Sequence, residues 1–246
     1  MLRGRVEGCC FALCGGEREE KRREEKRRQI SSGGLRPPLE SKSLKSLRMG
    51  MTLRQAVEVL HAARTGAVVV TTMGNAREWQ KLGAGPLDLI YVPSSMGQGT
   101  SIALGIALAQ PRRKVVTCSG DGSMLMNLGS LVTISGQAPA NLIVIVFNNG
   151  VYEVTGAQPT SAAPALRPDA GPVDFAALAR ASGFTRVYTF GAVEPWQGAV
   201  AEILSGRGPT FVELQVEPVA DGGLPGFAGP APNRARALRA ELTRGG

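Results

Sequence analysis

The run Leu142-Ile143-Val144-Ile145-Val146-Phe147 constrains the fold of this chain more than any other feature. Six consecutive apolar residues, mostly β-branched, favour a strand whose two faces are both apolar. Such a strand is stable only in a sheet covered on both sides. Similar short runs recur and alternate with helical patterning. Strands are expected at Ala67–Thr71, Asp88–Val92, Lys114–Ser119, Asn141–Phe147, Thr185–Phe190 and Thr210–Val216. Between them, apolar residues at helical spacing predict helices over Thr52–Arg64 (capped by Thr52), Ala76–Leu82, Gln98–Ala109, Met124–Gln137, Asp174–Ser182 and Val193–Leu204. Strand–helix alternation of this kind implies parallel order. The expected fold class is α/β: a doubly wound, mainly parallel sheet with helices on both faces, spanning residues 51–217. After it comes a Pro- and Gly-rich tail, 218–246, in which Asn233 is expected to cap a short basic helix, Arg234–Leu242.

The formal net charge of +8 suggests a nucleic-acid partner until it is divided along the chain. Residues 1–50 hold 13 Lys and Arg against 7 Asp and Glu, and the remaining residues hold 15 against 13, a balance of +2. The body is almost neutral, so the nucleic-acid reading loses its basis. Residues 1–50 carry the block Glu-Arg-Glu-Glu-Lys-Arg-Arg-Glu-Glu-Lys-Arg-Arg at 17–28 and no apolar periodicity. They read as a solvated helix, a disordered arm, or an extension ahead of a true start near Met49 or Met51. The apolar stretch Cys9–Cys14 is too short and too poorly flanked for a signal peptide or membrane span. A cytoplasmic location, with no membrane partner, is the expectation. Cys9, Cys10 and Cys14 have no matching second cluster, and Cys118 sits in an apolar run as a core thiol.

Chemistry concentrates at two strand ends. Lys114–Ser119 runs into Gly120-Asp121-Gly122-Ser123, and Asn141–Phe147 ends in Asn148-Asn149-Gly150. In a parallel sheet ligands gather at the C-terminal strand ends. Glycines there allow close approach of a diphosphate, and Asp121 offers a hard oxygen suited to Mg²⁺. One right-handed crossover separates the two turns, so Asp121 and Asn149 can meet on one ion. A neutral amide suits such a site when the diphosphate brings most of the negative charge. Each turn is weak evidence taken singly, since Gly-Asp-Gly and Asn-Asn-Gly are common turn sequences.

The stretch GDGSMLMNLGSLVTISGQAPANLIVIVFNNG, residues 120–150, resembles the cofactor motif of thiamine-diphosphate enzymes, which opens with Gly-Asp-Gly and closes with a paired Asn. The resemblance implies Asp121, the side chain of Asn149 and the main-chain carbonyl of Val151 as Mg²⁺ ligands. It implies Gly120, Gly122 and Ser123 against the diphosphate. PSSMGQGTSIALGIALA is similar to the segment that supports the bent thiamine, which would place Met96 under the cofactor. VVTTMGN makes Thr71 and Thr72 candidates near the diphosphate. The resemblance covers about residues 55–217 and is closest to the small decarboxylases of sulfopyruvate and phosphonopyruvate, through TTMGNAREW, SSMGQGTSIALGIALA, MNLGSLVTI and NNGVYEVTGAQPT. TTMGNAREW departs from that subgroup by about one residue.

Enzymes of this kind take a glutamate from a separate pyrimidine-binding domain to activate the cofactor. Residues 1–50 are too short and polar to form such a domain, so a partner subunit carrying it, in a hetero-oligomer, is expected. His61 falls on the first amphipathic helix and reads as a packing or surface residue. Decarboxylation of a small 2-oxo acid is the leading activity. A carboligase of the acetolactate-synthase type and a non-catalytic cofactor-binding protein are the alternatives. A 2-oxo acid:ferredoxin oxidoreductase subunit fits less well, because the cysteines form no iron–sulfur ligand set. Arg77 and Lys81 are the cations nearest in sequence for a sulfonate or phosphonate. Tyr152–Pro172, rich in Gly, Pro, Ser and Ala, reads as a long loop rooted at the site, a candidate lid.

Overall fold

Strict alternation of side chains along each strand splits the apolar residues into two cores. In the computed structural model, which describes residues 50–92, 95–167, 169–220, 222 and 228–244, they pack on opposite faces of one sheet. Expectations placed on residues 1–49, including Cys9, Cys10 and Cys14, lie outside the described residues.

The strands are β1 (Met51–Thr52), β2 (Val68–Thr72), β3 (Asp88–Tyr91), β4 (Val115–Gly120), β5 (Leu142–Asn148), a small outlying pair β6 (Val151–Tyr152) and β7 (Gln158–Pro159), then β8 (Arg186–Phe190) and β9 (Thr210–Glu217). The helices are α1 (Leu53–Ala63), α2 (Met73–Leu82), α3 (Gly99–Ala109), α4 (Asp121–Leu125), α5 (Gly129–Gln137), α6 (Phe175–Ala181), α7 (Val193–Ser205) and α8 (Ala231–Arg244). The main sheet runs β3-β2-β4-β5-β9, every pairing parallel, and β8 and β1 share the outer edge of β9. β8 pairs with Thr210–Leu214 of β9, and β1 pairs with Val216 and Glu217.

Ile143, Ile145 and Phe147 of β5 join Val69, Val116 and Val212 under α1, α2 and α7. Leu142, Val144 and Val146 point the other way, with Val70, Val115 and Phe211, under α3, α5 and α6. This is why the strands read as continuous apolar runs: each face is dry. Large side chains close both layers. Trp196 of α7 is fully buried and its indole N–H donates to the Ala56 carbonyl of α1 at 3.1 Å. A side chain of that size, fully buried, contributes about 3 kcal/mol or more.

Local signals set the boundaries. Thr52 caps α1 in a capping box, accepting from the Gln55 N–H at 3.2 Å while the Gln55 side chain accepts from the Thr52 N–H at 2.9 Å. Three expectations are corrected. α2 begins at Met73, not Ala76, because Met73 adopts φ 49° and turns the chain from strand to helix without a linker. The expected helix Met124–Gln137 is two helices. α4 starts earlier, at Asp121, and the chain breaks at Met126–Leu128, where the Asn127 side chain donates to the Gly97 carbonyl at 2.9 Å. Asn233 does not cap α8, which starts at Ala231; its side chain accepts from Arg236 at 2.7 Å inside the first turn. α8 also belongs to the layers, since its Leu238 is buried in the second core beside Leu87 and Leu89. No helix among the described residues is long and apolar enough to cross a membrane.

Candidate functional site

From β2 the chain moves outward to β3 and then, through α3, back across to β4 on the other side. The crevice at the C-terminal ends of β2 and β4 is therefore the topological switch point, where open parallel sheets bind ligands. A cavity of about 260 Å³ opens there. Its floor is polar (Asp121, Asn149, Glu153) and its walls are largely apolar (Leu53, Met73, Met96, Met126, Val154).

Asp121 is the first residue of α4 and is 1% exposed. Its Oδ2 accepts from the Gly150 N–H at 3.1 Å and from the Thr160 hydroxyl at 3.2 Å. Burial pushes its pKa up to about 6, against the opposing pull of the Gly122 N–H, the Thr160 hydroxyl and the Gly150 N–H. A carboxylate so placed is short of positive charge. One turn beyond β5, Asn149 donates through Nδ2 to Glu153 Oε1 at 2.7 Å, and its Oδ1 accepts from the Val151 N–H at 3.0 Å. Asp121, Asn149 and Val151 line the same cavity, as do Gly120, Gly122 and Ser123. Their chemistry fits a hard divalent cation that also holds a diphosphate: one carboxylate, one amide and one main-chain carbonyl leave negative charge for the ligand to supply. No group of three His, Cys, Asp or Glu gathers as a metal cluster among the described residues.

The two glycines of the turn differ. A Cβ on Gly120 would meet nothing within 4 Å, leaving that backbone open to a ligand. A Cβ on Gly122 would lie 2.5 Å from the Tyr152 ring, so Gly122 is required by the aromatic side chain packed on it. The five residues of α4 are also far shorter than the helix expected to follow the turn.

Met96 lines the cavity and is 40% exposed. Thr71 and Thr72 do not line it. Both are buried within the sheet, and the Thr72 hydroxyl donates to the Cys118 carbonyl at 3.0 Å. The cavity is reached instead by Met73, Gly74 and Asn75, the next three residues. Arg77 and Lys81 do not line it either. Both pair with the buried Glu78, at 3.0 and 2.9 Å. His61 packs edge-on against Trp79, with Nε2 3.0 Å from the Gly83 carbonyl. Cys118 is a buried core thiol whose pKa burial pushes far up.

Tyr152–Pro172 is not a free loop. It holds the end of β6, all of β7 and two 3₁₀ turns, Glu153–Thr155 and Pro164–Leu166, and it buries Thr160, Ala162 and Ala163. Glu153 and Thr160, which touch Asn149 and Asp121, were not singled out from sequence. Their only signal was position, a few residues beyond the Asn pair in a stretch without apolar periodicity.

A parallel sheet with its ligand crevice at the switch point, and with acid and amide on adjacent strand ends, defines an α/β domain that binds a diphosphate-bearing cofactor. Residues 70–214 match the family described as thiamine pyrophosphate enzyme, C-terminal TPP binding domain, and the chain belongs to that family. Thiamine pyrophosphate is thiamine diphosphate, the cofactor of the class. The chain is 37% identical over 176 residues to phosphonopyruvate decarboxylase of Streptomyces viridochromogenes, covering 72% of this chain and 41% of that protein. It thus spans well under half the length of that relative. It is 36% identical over 165 residues to sulfopyruvate decarboxylase subunit beta of Methanothermobacter thermautotrophicus, covering 67% of this chain and 81% of the subunit. The crystal structure of a protein from Mycobacterium smegmatis assigned as a thiamin diphosphate-dependent enzyme superposes with a TM-score of 0.56 at 23% identity. The match covers 69% of this chain and 32% of that one, and it supports the fold.

Proposed function

We propose that this chain is the thiamine-diphosphate-binding subunit of a two-chain decarboxylase acting on a small 2-oxo acid of the sulfopyruvate or phosphonopyruvate kind. The observation that carries the reading is the match across 81% of a subunit named beta, which is itself one part of an assembly. Residues 51–217 are the cofactor domain in this reading. Asp121, the Asn149 amide oxygen and the Val151 carbonyl hold Mg²⁺, Gly120, Gly122 and Ser123 face the diphosphate, and Met96 supports the thiamine. When bound, the cofactor supplies an electron sink for loss of CO₂.

What the chain's own residues do follows from the cavity. The floor orients the diphosphate through Asp121 and Asn149, the Tyr152 ring fixes the Gly122 backbone, and the apolar walls exclude water from the reacting end. The half-exposed Met96 and Met126 leave one wall open, where a pyrimidine-binding partner subunit would complete the site. A cytoplasmic location goes with this reading.

The test is CO₂ release from sulfopyruvate, phosphonopyruvate and simpler 2-oxo acids by this chain, by a pyrimidine-domain subunit encoded beside it, and by their mixture. Turnover is expected from the mixture only. Robust turnover by this chain free of partner would overturn the two-subunit reading.

A further inference from the structure

We propose that Glu153 is a positioning residue: it locks the Asn149 amide with its oxygen toward the cation corner and fastens that corner to the chain segment after β9. The proposal rests on reading Asp121 and Asn149 as the cation site.

The Glu153 side chain is only 6% exposed. Its Oε1 accepts from Asn149 Nδ2 at 2.7 Å and from the Val219 N–H at 3.0 Å, and its Oε2 lies 3.6 Å from the Arg77 guanidinium. Gly74 makes room for it, since a Cβ there would come within 3.0 Å of Oε2. Three segments of the chain, the turn at Asn149, α2 and the stretch after β9, thus converge on one carboxylate.

An asparagine amide has two ends of nearly equal shape, and only the oxygen can ligate a hard cation. A carboxylate only accepts. Turning the Asn149 amide over would set oxygen against oxygen in a buried site, so Glu153 selects the orientation that presents Oδ1. That oxygen has two lone pairs, and the Val151 N–H occupies one of them at 3.0 Å, leaving one for an ion. The same device recurs one residue earlier, where Asn148 donates to the buried Glu213 at 2.8 Å. Neither Asn148 nor Glu213 lines the cavity. That pair is therefore an internal control: a matched buried contact next to the site with no ligand to orient.

The experiment measures Mn²⁺ binding to the full chain in the presence of thiamine diphosphate, from the free-ion paramagnetic resonance signal, beside melting curves without ligand. Glu153→Gln can offer its own N–H₂ to Asn149 and so releases the selection. It should weaken Mn²⁺ about 10- to 100-fold, the usual effect of losing a partner that orients a ligand. Glu213→Gln should leave Mn²⁺ affinity within about twofold even where its melting temperature drops. The deciding arm is Asn149→Asp. An aspartate has two equivalent oxygens and no orientation to select, so Glu153→Gln in that background should strengthen Mn²⁺ binding by removing a like charge. If Glu153→Gln does not fold, Glu153→Asp keeps the charge but draws back from Asn149, and it should weaken Mn²⁺ in the same way. Unchanged affinity in the folded single variant, or continued weakening in the Asn149→Asp background, would overturn the role of Glu153. No Mn²⁺ binding by the unaltered chain would instead remove the cation-site reading beneath it.

Discussion

The floor and the walls of the cavity are built on different principles. On the floor, Asp121 and Thr160 are buried, Asn149 and Glu153 are partly so, and they are held by hydrogen bonds of 2.7 to 3.2 Å. On the walls, Met96 and Met126 are 40% and 49% exposed and offer flexible thioether side chains. The floor is made before any ligand arrives, and its stability is bound up with its charge. On the proposed reading, the walls are finished by what binds against them. Substitutions on the floor should therefore alter the folded protein and its ligand affinity together, whereas those on the walls should separate the two.

The largest effect is expected at Asp121. Asp121→Asn keeps shape and acceptor but removes the charge, so the rise in melting temperature caused by thiamine diphosphate with Mg²⁺ should vanish, with affinity down more than about 100-fold. Ligand-free stability should move the other way. The buried acid binds its proton up to about pH 6, well above an unfolded aspartate near 3.8. Between those values the folded chain holds more protons than the unfolded one, so this group's contribution falls as pH rises and stays low above 6. The full difference is about 3 kcal/mol. Melting curves from pH 4 to 8 should show Asp121→Asn gaining on the unaltered chain across that window. Cation affinity of the unaltered chain should climb over the same window. A variant no more stable at pH 8 would mean the floor is not charge-strained.

A smaller effect is expected at Gly122. Gly122→Ala drives a methyl group into the Tyr152 ring and should cost about 1–3 kcal/mol by overpacking. Tyr152→Ala, paired with it, should recover much of that loss, as a double-mutant cycle would register. Additive losses would place the strain elsewhere. The smallest stability change is expected at Met96. Met96→Ala should leave the ligand-free melting curve within about 0.5 kcal/mol, because the side chain is already half in water. Affinity for thiamine diphosphate should still fall several-fold. A large loss of stability there would dissolve the contrast between floor and walls.

The same contrast governs what could be read from residues. Strands such as Leu142–Asn148 announce themselves, because a doubly covered strand must be apolar throughout. Asp121 and Asn149 were legible because both are polar residues in glycine-bearing turns directly after such strands. Thr71 and Thr72 stay within the sheet, and Met73, whose positive φ starts α2 three residues early, brings Met73 to Asn75 to the cavity. A left-handed methionine has no sequence signal. Glu153 and Thr160 lie in a stretch whose composition says loop, and their value comes from partners that only the folded chain brings close. The division of Met124–Gln137 into two helices was hidden likewise, because Asn127 breaks the run through a tertiary contact to Gly97.

The sharing of one β9 edge by β8 and β1 bears on how the sheet closes. Pairing Met51 with Val216 joins residues near opposite ends of the described unit, whereas β4 and β5 join residue 115 to residue 142. The first loop is about six times longer, and closing it costs roughly 1.5 kcal/mol more in chain entropy. β1 offers only two residues in return. The β1 margin of the sheet is therefore its most readily opened seam, while the pairing that carries Asp121 and Asn149 is among those with little chain entropy to overcome. The ligand corner sits on two interior strands, away from that seam.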